Sequence, residues 1–425
     1  MKESGIEWVG LIPDTWSVIP NKYVMHKEKN LCEKWTGEDV MSLTMNGVIV
    51  RDLQNPTGKM PATFDGYQYI EDGDLLMCLF DIDVTPRCVG KVTHNGVTSP
   101  AYSNFKVHDN ASRDYFYYYY LMVDNTKELL HLAKNLRHSF TEEQLGQLKV
   151  PMPPLSEQQA IADYLDETCS QIDEIIAEAK ASIDEYENLR QSIIYEILTK
   201  GPDDNVEMKD SGVEWIGKVP SHWMIGKVKY GTTKVGSGKT PKGGAEVYMT
   251  SGVMFLRSQN IYNDGLRLDN PYYISEEIDE EMKNTRVQKN DVLLNITGGS
   301  IGRCCIFDGS IPNANVNQHV CIIRVNSSVF LPEYMHLFWI SLIGQISIKS
   351  YQTGGNREGM SAEAIKNTPI PIIPIGEQRR IVDLIKPKID DFNSLIAEKE
   401  SLINDLEAYK KSLIYEVVTG KRRVV

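Results

Sequence analysis

"PMPPLSEQQAI" (Pro151–Ile161) and "PIIPIGEQRRI" (Pro371–Ile381) are one phrase written twice, 220 positions apart, and the stretch after each copy decides the architecture. A proline disfavours the helical conformation of the residue before it, so each cluster excludes helix upstream. Ser156 followed by Gln159 has the spacing of a capping box, which predicts a helix start. Beyond it, apolar residues recur in steps of three and four at Leu165, Cys169, Ile172, Ile176, Ala179, Ile183, Tyr186, Ile193 and Ile197. The second copy repeats the pattern at Ile385, Ile389, Phe392, Ile396, Ile403, Leu406, Leu413 and Val417. Sustained heptads predict a seam that packs on another helix. Both stripes skip one shared position, where a cation stands: Arg190 in one and Lys410 in the other. A cation there sets register or reaches solvent.

About forty residues of helix span roughly 60 Å. A helix of that length with a single apolar stripe must find a partner, and the other copy is the obvious one. The short link "TKGPDDNVEMKD" (Thr199–Asp210) favours antiparallel packing, with the globular parts at opposite ends and an approximate two-fold axis between them.

A second repeat marks where each globular part begins. "MKESGIEWVGLIPDTW" (Met1–Trp16) returns as "MKDSGVEWIGKVPSHW" (Met208–Trp223), shifted by 207. Between the repeated frames the two halves differ in length and in sequence. The expected organisation is a first variable domain over 1–154, a long helix over 155–200, a linker over 201–210, a second variable domain over 211–374 and a long helix over 375–425. The variable domains read as mixed α/β (α+β), with candidate strands at Asp74–Phe80, Asp291–Thr297, Arg303–Phe307 and His319–Val325. Each ends in an aromatic, helix-like stretch, Asp114–Ala133 or Pro332–Ile346, whose rings at helical spacing are expected in the core. The "EW" phrases, with Glu7, Trp8 and Trp16 matching Glu214, Trp215 and Trp223, are expected to anchor domain to helix where the chain's "TGKRRVV" end returns.

At 425 residues, 41% hydrophobic and 24% charged, the chain calls for at least two ordinary globular domains and excludes disordered and collagen-like classes. It contains no apolar run of the ~18 residues that a spanning helix needs, and its start lacks a signal-peptide pattern. A cytoplasmic location is expected, with no membrane role. The seven scattered cysteines contain no C-x-x-C pair and read as small buried hydrophobes. "NPYY" (Asn270–Tyr273) is similar to an adenine-methyltransferase motif but lacks its second proline, so a turn is expected. "VGSGKTP" (Val235–Pro241) has Thr233 where a phosphate-binding loop needs glycine. The histidines show no metal spacing. No catalytic constellation emerges.

The twice-repeated "EW-x-G-x-x-P-x-x-W" phrase and the proline clusters leading into long helices resemble the specificity (S) subunit of Type I restriction-modification systems, over the whole chain. The resemblance implies a non-catalytic DNA-recognition subunit with two target-recognition domains, each reading half of a bipartite double-stranded target. It implies that the helices set the spacing and dock two methyltransferase subunits, with restriction subunits joining them. No cofactor is implied on this chain; S-adenosylmethionine, ATP and Mg2+ belong to the partners. Bases are read by polar side chains on loops. In the second domain these are Arg257, Ser258, Gln259 and Asn260, then Arg303, Asn317, Gln318 and His319, then Gln352, Thr353, Asn356 and Arg357. In the first they are Arg87, Lys91, Ser103, Asn104, Arg137, His138 and Ser139. Arg137 and Arg357 match at the shift of 220. The net charge of −13 is unusual for a DNA binder, but residues 156–200 alone carry 11 acidic and 3 basic side chains. Weak DNA binding without partners is therefore expected. Two other readings remain open: an adaptor with two ligand-binding lobes and no nucleic acid, which failure to retard DNA would favour, and a fused single-chain enzyme, which S-adenosylmethionine binding would favour.

Overall fold

In the computed structural model, which describes residues 1–56, 60–85, 87–133, 139–203, 205–352 and 359–424, the proline clusters open helices Leu155–Lys200 and Ile375–Val418. The expected capping box does not form. The Pro154 carbonyl accepts from the Glu157 and Gln158 amides, so Ser156 already lies inside the first turn, and Gln159 donates to Asp163 instead. Pro374 does the same for Glu377 and Gln378, where Gly376 replaces the serine. The proline-fixed backbone starts both helices, and no hydroxyl is needed.

The chain forms two compact units, Met1–Lys180 with Glu400–Val425, and Ala181–Lys399, so each unit holds part of both long helices. In the first unit the Arg422 guanidinium lies 5.9 Å from the Tyr164 ring, and Lys410 Nζ donates to Asp173 at 2.6 Å. In the second, the Tyr186 and Phe392 rings are 6.3 Å apart, Arg190 Nη1 donates to Asn393 at 2.6 Å, and Arg380 pairs with Asp203. From Tyr164 to Asp173 the partners fall from Arg422 to Lys410, and from Tyr186 to Asp203 they fall from Phe392 to Arg380, so the helices are antiparallel within each unit. Along the seam Ile172, Ile176, Ile403 and Leu413 are buried, and Ile183, Ile193, Ile389, Phe392, Ile396 and Leu406 are half-buried. Toward the end of the first helix the stripe turns by one residue, to Ile194 and Leu198, which enter the core of the second domain.

The skipped cations have matching partners. Asp173 and Asn393 are themselves 220 apart, so the same two positions pair in both units, as an ion pair in one and as a charge-to-amide hydrogen bond in the other.

The variable domains share one topology despite dissimilar sequences. Each has an antiparallel four-stranded sheet, in the order Met25–Glu28, Ser103–Val107, Leu75–Met77, Val89–Lys91 in the first and Thr232–Ser237, Val320–Val325, Val292–Asn295, Cys304–Ile306 in the second. Each also has a second sheet built on a parallel pair, Val40–Thr44 with Gly96–Thr98 in a four-stranded sheet and Val253–Leu256 with Ala314–Val316 in a three-stranded one. Helices Arg113–Asn125 and Pro332–Ile340 carry the aromatic runs, and Tyr115, Tyr118, Tyr119 and Tyr120 are buried, as expected of core.

A buried glutamine in each proline phrase ties domain to helix. Gln158 Oε1 accepts from the Ser112 amide and its Nε2 donates to the Pro153 carbonyl; Gln378 accepts from Leu331 and donates to Val329 and Ile373. The second tryptophan of each "EW" phrase packs on a glycine just past a helix end: a Cβ on Gly420 would lie 3.0 Å from Trp16, and one on Gly201 3.1 Å from Trp223. Both glycines have positive φ, 70° and 80°, which ends a helix at no steric cost. Lys421 Nζ donates to the Val9 carbonyl, so the chain's last turn does return to its first phrase. Glu7 and Glu214 are exposed.

All seven cysteines are free and buried, and burial pushes the thiols of Cys88, Cys305 and Cys321 up to about 12 and that of Cys169 up to about 11. Because the thiolate is the reactive form, iodoacetamide at pH 8 is expected to leave the folded chain unmodified and to label all seven thiols in denaturant, read by intact mass. Asp173 is 61% exposed, so its ion pair contributes little. Asp173→Asn, which copies the other unit, is expected to change unfolding free energy by no more than about 1 kcal/mol, with the difference fading in 1 M salt.

Candidate nucleic-acid interface

In the second domain the ends of five strands converge on one polar rim. The Asn317 amide donates to the Leu256 carbonyl, the Gly238 amide to Val320, and the Ile296 amide to His319, which draws four loops together. Gly238 is the second glycine of "VGSGKTP", and a Cβ there would meet the Val316 carbonyl oxygen at 2.0 Å. It is a point of close backbone approach, which explains the glycine without a phosphate. Side chains continue the chain of contacts. Thr240 Oγ1 donates to Gln318 Oε1 at 2.6 Å, Thr297 Oγ1 and His319 Nδ1 are 2.6 Å apart, and Asn295 Nδ2 donates to the Ser258 carbonyl and to Ser300 Oγ. Gln259 and Gln318 are exposed; Arg257, Ser258, Arg303 and His319 are half-buried. Asn317 is buried, with its carbonyl oxygen accepting from the His319 amide. Asn260 is buried and shapes the turn, accepting from the Arg257 amide and donating to Arg267. The rim therefore gathers Arg257, Ser258, Gln259, Arg303, Gln318 and His319 from stretches far apart in sequence. Thr353, Asn356 and Arg357 lie outside the described residues, although Gly359, just after them, bridges to Thr297 on this rim.

Two arginines of this rim rest on aromatic rings. The Arg257 guanidinium carbon is 3.6 Å from the centre of the Tyr272 ring, and that of Arg303 is 4.5 Å from the centre of Tyr262. Tyr272 belongs to "NPYY", whose Asn270 turns the chain at φ 55°, so the turn expected there has a further use. Loop composition signalled the arginines; nothing in the spacing signalled their tyrosine shelves.

The first domain's predicted readers are mostly internal. Arg87 donates to the carbonyls of Val89 and Met45 and to the Tyr117 hydroxyl, which engages its fork inside the domain. Lys91 bonds to Asp114 at 2.8 Å; burial opposes its charge, but Asp114 and Asp166 outweigh that and raise its pKa. Asn104 is buried against Asp74, out of reach of any ligand. Ser103 is half-buried in the strand facing Met77, and Ser139 is half-buried beside Phe140. Arg137 and His138 lie outside the described residues. Arg87, Lys91 and Asn104 serve carbonyls, a hydroxyl and carboxylates inside the domain, a use that sequence alone does not separate from base reading.

The positions equivalent to the second domain's rim follow from strand pairing. Ser42, Phe80, Cys88, Pro100 and Ala101 stand where the second domain has Arg257, Thr297, Arg303, Gln318 and His319. Phe80 stacks on Tyr102 with ring centres 6.5 Å apart, and Val84 just beyond is 73% exposed. Apart from Ser42, the first rim is therefore apolar where the second is polar and cationic.

The sequence profile of the Type I restriction modification DNA specificity domain matches residues 82–185 and 221–405. The specificity subunit of the Escherichia coli Type I restriction enzyme EcoBI is 23% identical over 330 residues, covering 74% of this chain and 66% of that subunit. The putative MjaX specificity subunit of Methanocaldococcus jannaschii is 26% identical over 328 residues, covering 74% of this chain and 69% of its own. A solved structure from a study of complex assembly and conformational transition in the type I R-M system superposes with TM-score 0.70 at 12% identity, over 97% of this chain and 100% of that one. The HsdS subunit from Thermoanaerobacter tengcongensis superposes with TM-score 0.50 at 14% identity, over 99% and 100%. No described helix is long and apolar enough to cross a membrane.

Arg87→Ala would leave the Tyr117 hydroxyl and the two carbonyls without their donor. The expected outcome is a loss of about 1–3 kcal/mol in denaturant unfolding with no change in DNA preference.

Proposed function

We propose that this chain, which belongs to the Type I restriction-modification DNA specificity family, reads an asymmetric two-part DNA target, one part with each domain, and holds two methyltransferase subunits on its helices. The observation that carries this reading is the pair of rims. One scaffold is used twice, and all five equivalent rim positions differ in chemistry. A reader of two unlike half-sites needs a constant frame and variable edges. A protein that bound one ligand twice would keep its edges alike.

The helices support the partner half of the proposal. Their apolar seams and proline starts repeat at a shift of 220, so identical partners find two equivalent helix frames. The first helix is strongly acidic, which disfavours a polyphosphate and suits a protein partner. In this reading S-adenosylmethionine, ATP and Mg2+ are used by the methyltransferase and restriction subunits, this chain binds none of them directly, and the assembly works on cytoplasmic DNA. Spacing between half-sites follows from the helices. DNA affinity is low for the chain alone and rises when partners add phosphate contacts.

A map of adenine methylation in the host, compared with a strain lacking this gene, tests the proposal. One bipartite motif with two unlike halves is expected to vanish and to return on complementation. An unchanged map sinks the reading.

A further inference from the structure

Among the described arginines of residues 211–352, most hold a carboxylate: Arg267 pairs with Asp264, Arg286 with Asp279 and Glu280, and Arg324 with Asp291. Arg257 holds none. Its guanidinium carbon lies over the Tyr272 ring at 3.6 Å, with Tyr248 at 5.8 Å, and the two rings meet edge to face at 73°. Its Nε is buried without a hydrogen-bond partner, although the residue as a whole is only half-buried. Its backbone is fixed as well, since the Arg257 amide donates to Asn260 Oδ1 at 2.9 Å. A cation held on a ring, with one nitrogen enclosed and unpaired, is restrained in place before any ligand arrives.

Resting on the reading above, we infer that Arg257 is a preset fork for guanine, so the half-site read by the second domain contains a guanine whose O6 and N7 accept from the Arg257 terminal nitrogens. A bidentate fork matches these two acceptors, and no other base offers the same pair on its major-groove edge. A phosphate contact needs only a positive charge within reach. Exposed Lys239 and Lys242 on the neighbouring loop supply that without an aromatic shelf. The position also suits a base reader, because Arg257 shares the rim with Gln259, Gln318 and His319. Ser42 at the equivalent strand position gives the first domain no such fork, so the requirement falls on one half-site alone.

The test uses the full chain, co-expressed with its methyltransferase subunits in a strain that lacks the gene. Adenine methylation is mapped for wild type, Arg257→Lys, Arg257→Gln and Tyr272→Leu, with thermal unfolding of each purified complex. The wild-type motif is expected to contain a guanine in one half. Arg257→Lys and Arg257→Gln should relax selectivity at that one base, on the order of tenfold or more, and leave the other half unchanged. Tyr272→Leu keeps the arginine, removes its shelf and should relax the same base. A motif without guanine in the affected half overturns the inference, as does a uniform loss of methylation with the motif intact, which is the mark of a phosphate contact. Wild type that restores no methylation refutes the family reading instead, before Arg257 is in question. Should the Arg257 variants unfold, an unchanged motif in folded Tyr272→Leu overturns the inference by itself.

Discussion

A helix of 46 residues with one apolar stripe cannot remain single in water, and everything else in this protein depends on how that stripe is covered. The chain covers it with its own second copy, running the other way. Antiparallel pairing brings the end of each helix back to the start of the other. The last turn of the chain therefore meets Trp16, and the end of the first helix meets Trp223. The "EW" phrase is repeated because two places in the fold have this same neighbour. The glutamines at 158 and 378 complete the arrangement. Each is fully buried with both ends of its amide satisfied, a geometry that fixes a domain to its helix far more closely than apolar contact alone.

This frame is legible in the sequence because its physics is periodic. Heptad spacing marks the seam, and the shared gap at Arg190 and Lys410 marks the crossing points, where the partners at 173 and 393 stand. The helix start departs from the pattern at one point, since Ser156 and Gln159 fit a capping box while the prolines have already set the first turn. The mixed α/β character of the domains and the burial of the tyrosine run are legible for the same reason: strands and aromatic helix faces repeat along the chain.

Base-reading positions are not legible to the same degree. A polar loop residue looks the same whether it faces DNA or a neighbouring carbonyl. Arg87 and Arg257 show the difference: both are arginines close to a strand end, one engaged by two carbonyls and a hydroxyl, the other laid on a ring with its Nε unpaired. What separates them is the side chains that surround each guanidinium, and those come from parts of the chain 30 or more positions away in the case of Tyr117 and Met45. No local pattern carries that information. The equivalence of Arg137 and Arg357 at the repeat shift is a property of the sequence alone, because both fall outside the described residues.

The contrast between the two rims also explains how one frame tolerates unlike domains. Each rim sits at strand ends, where the main-chain bonds between loops are made by backbone groups, such as Asn317 to Leu256 and Ile296 to His319. Backbone bonds do not depend on side-chain identity, so Thr297 can stand where the first domain has Phe80 while the sheets beneath keep their register. The seam has the opposite property. Its apolar stripe, its buried glutamines and its tryptophan-on-glycine contacts all depend on particular side chains, and most of these are repeated at the shifts that relate the halves. At the rims, variation falls where backbone bonds already hold the loops together, and those are places a ligand can reach.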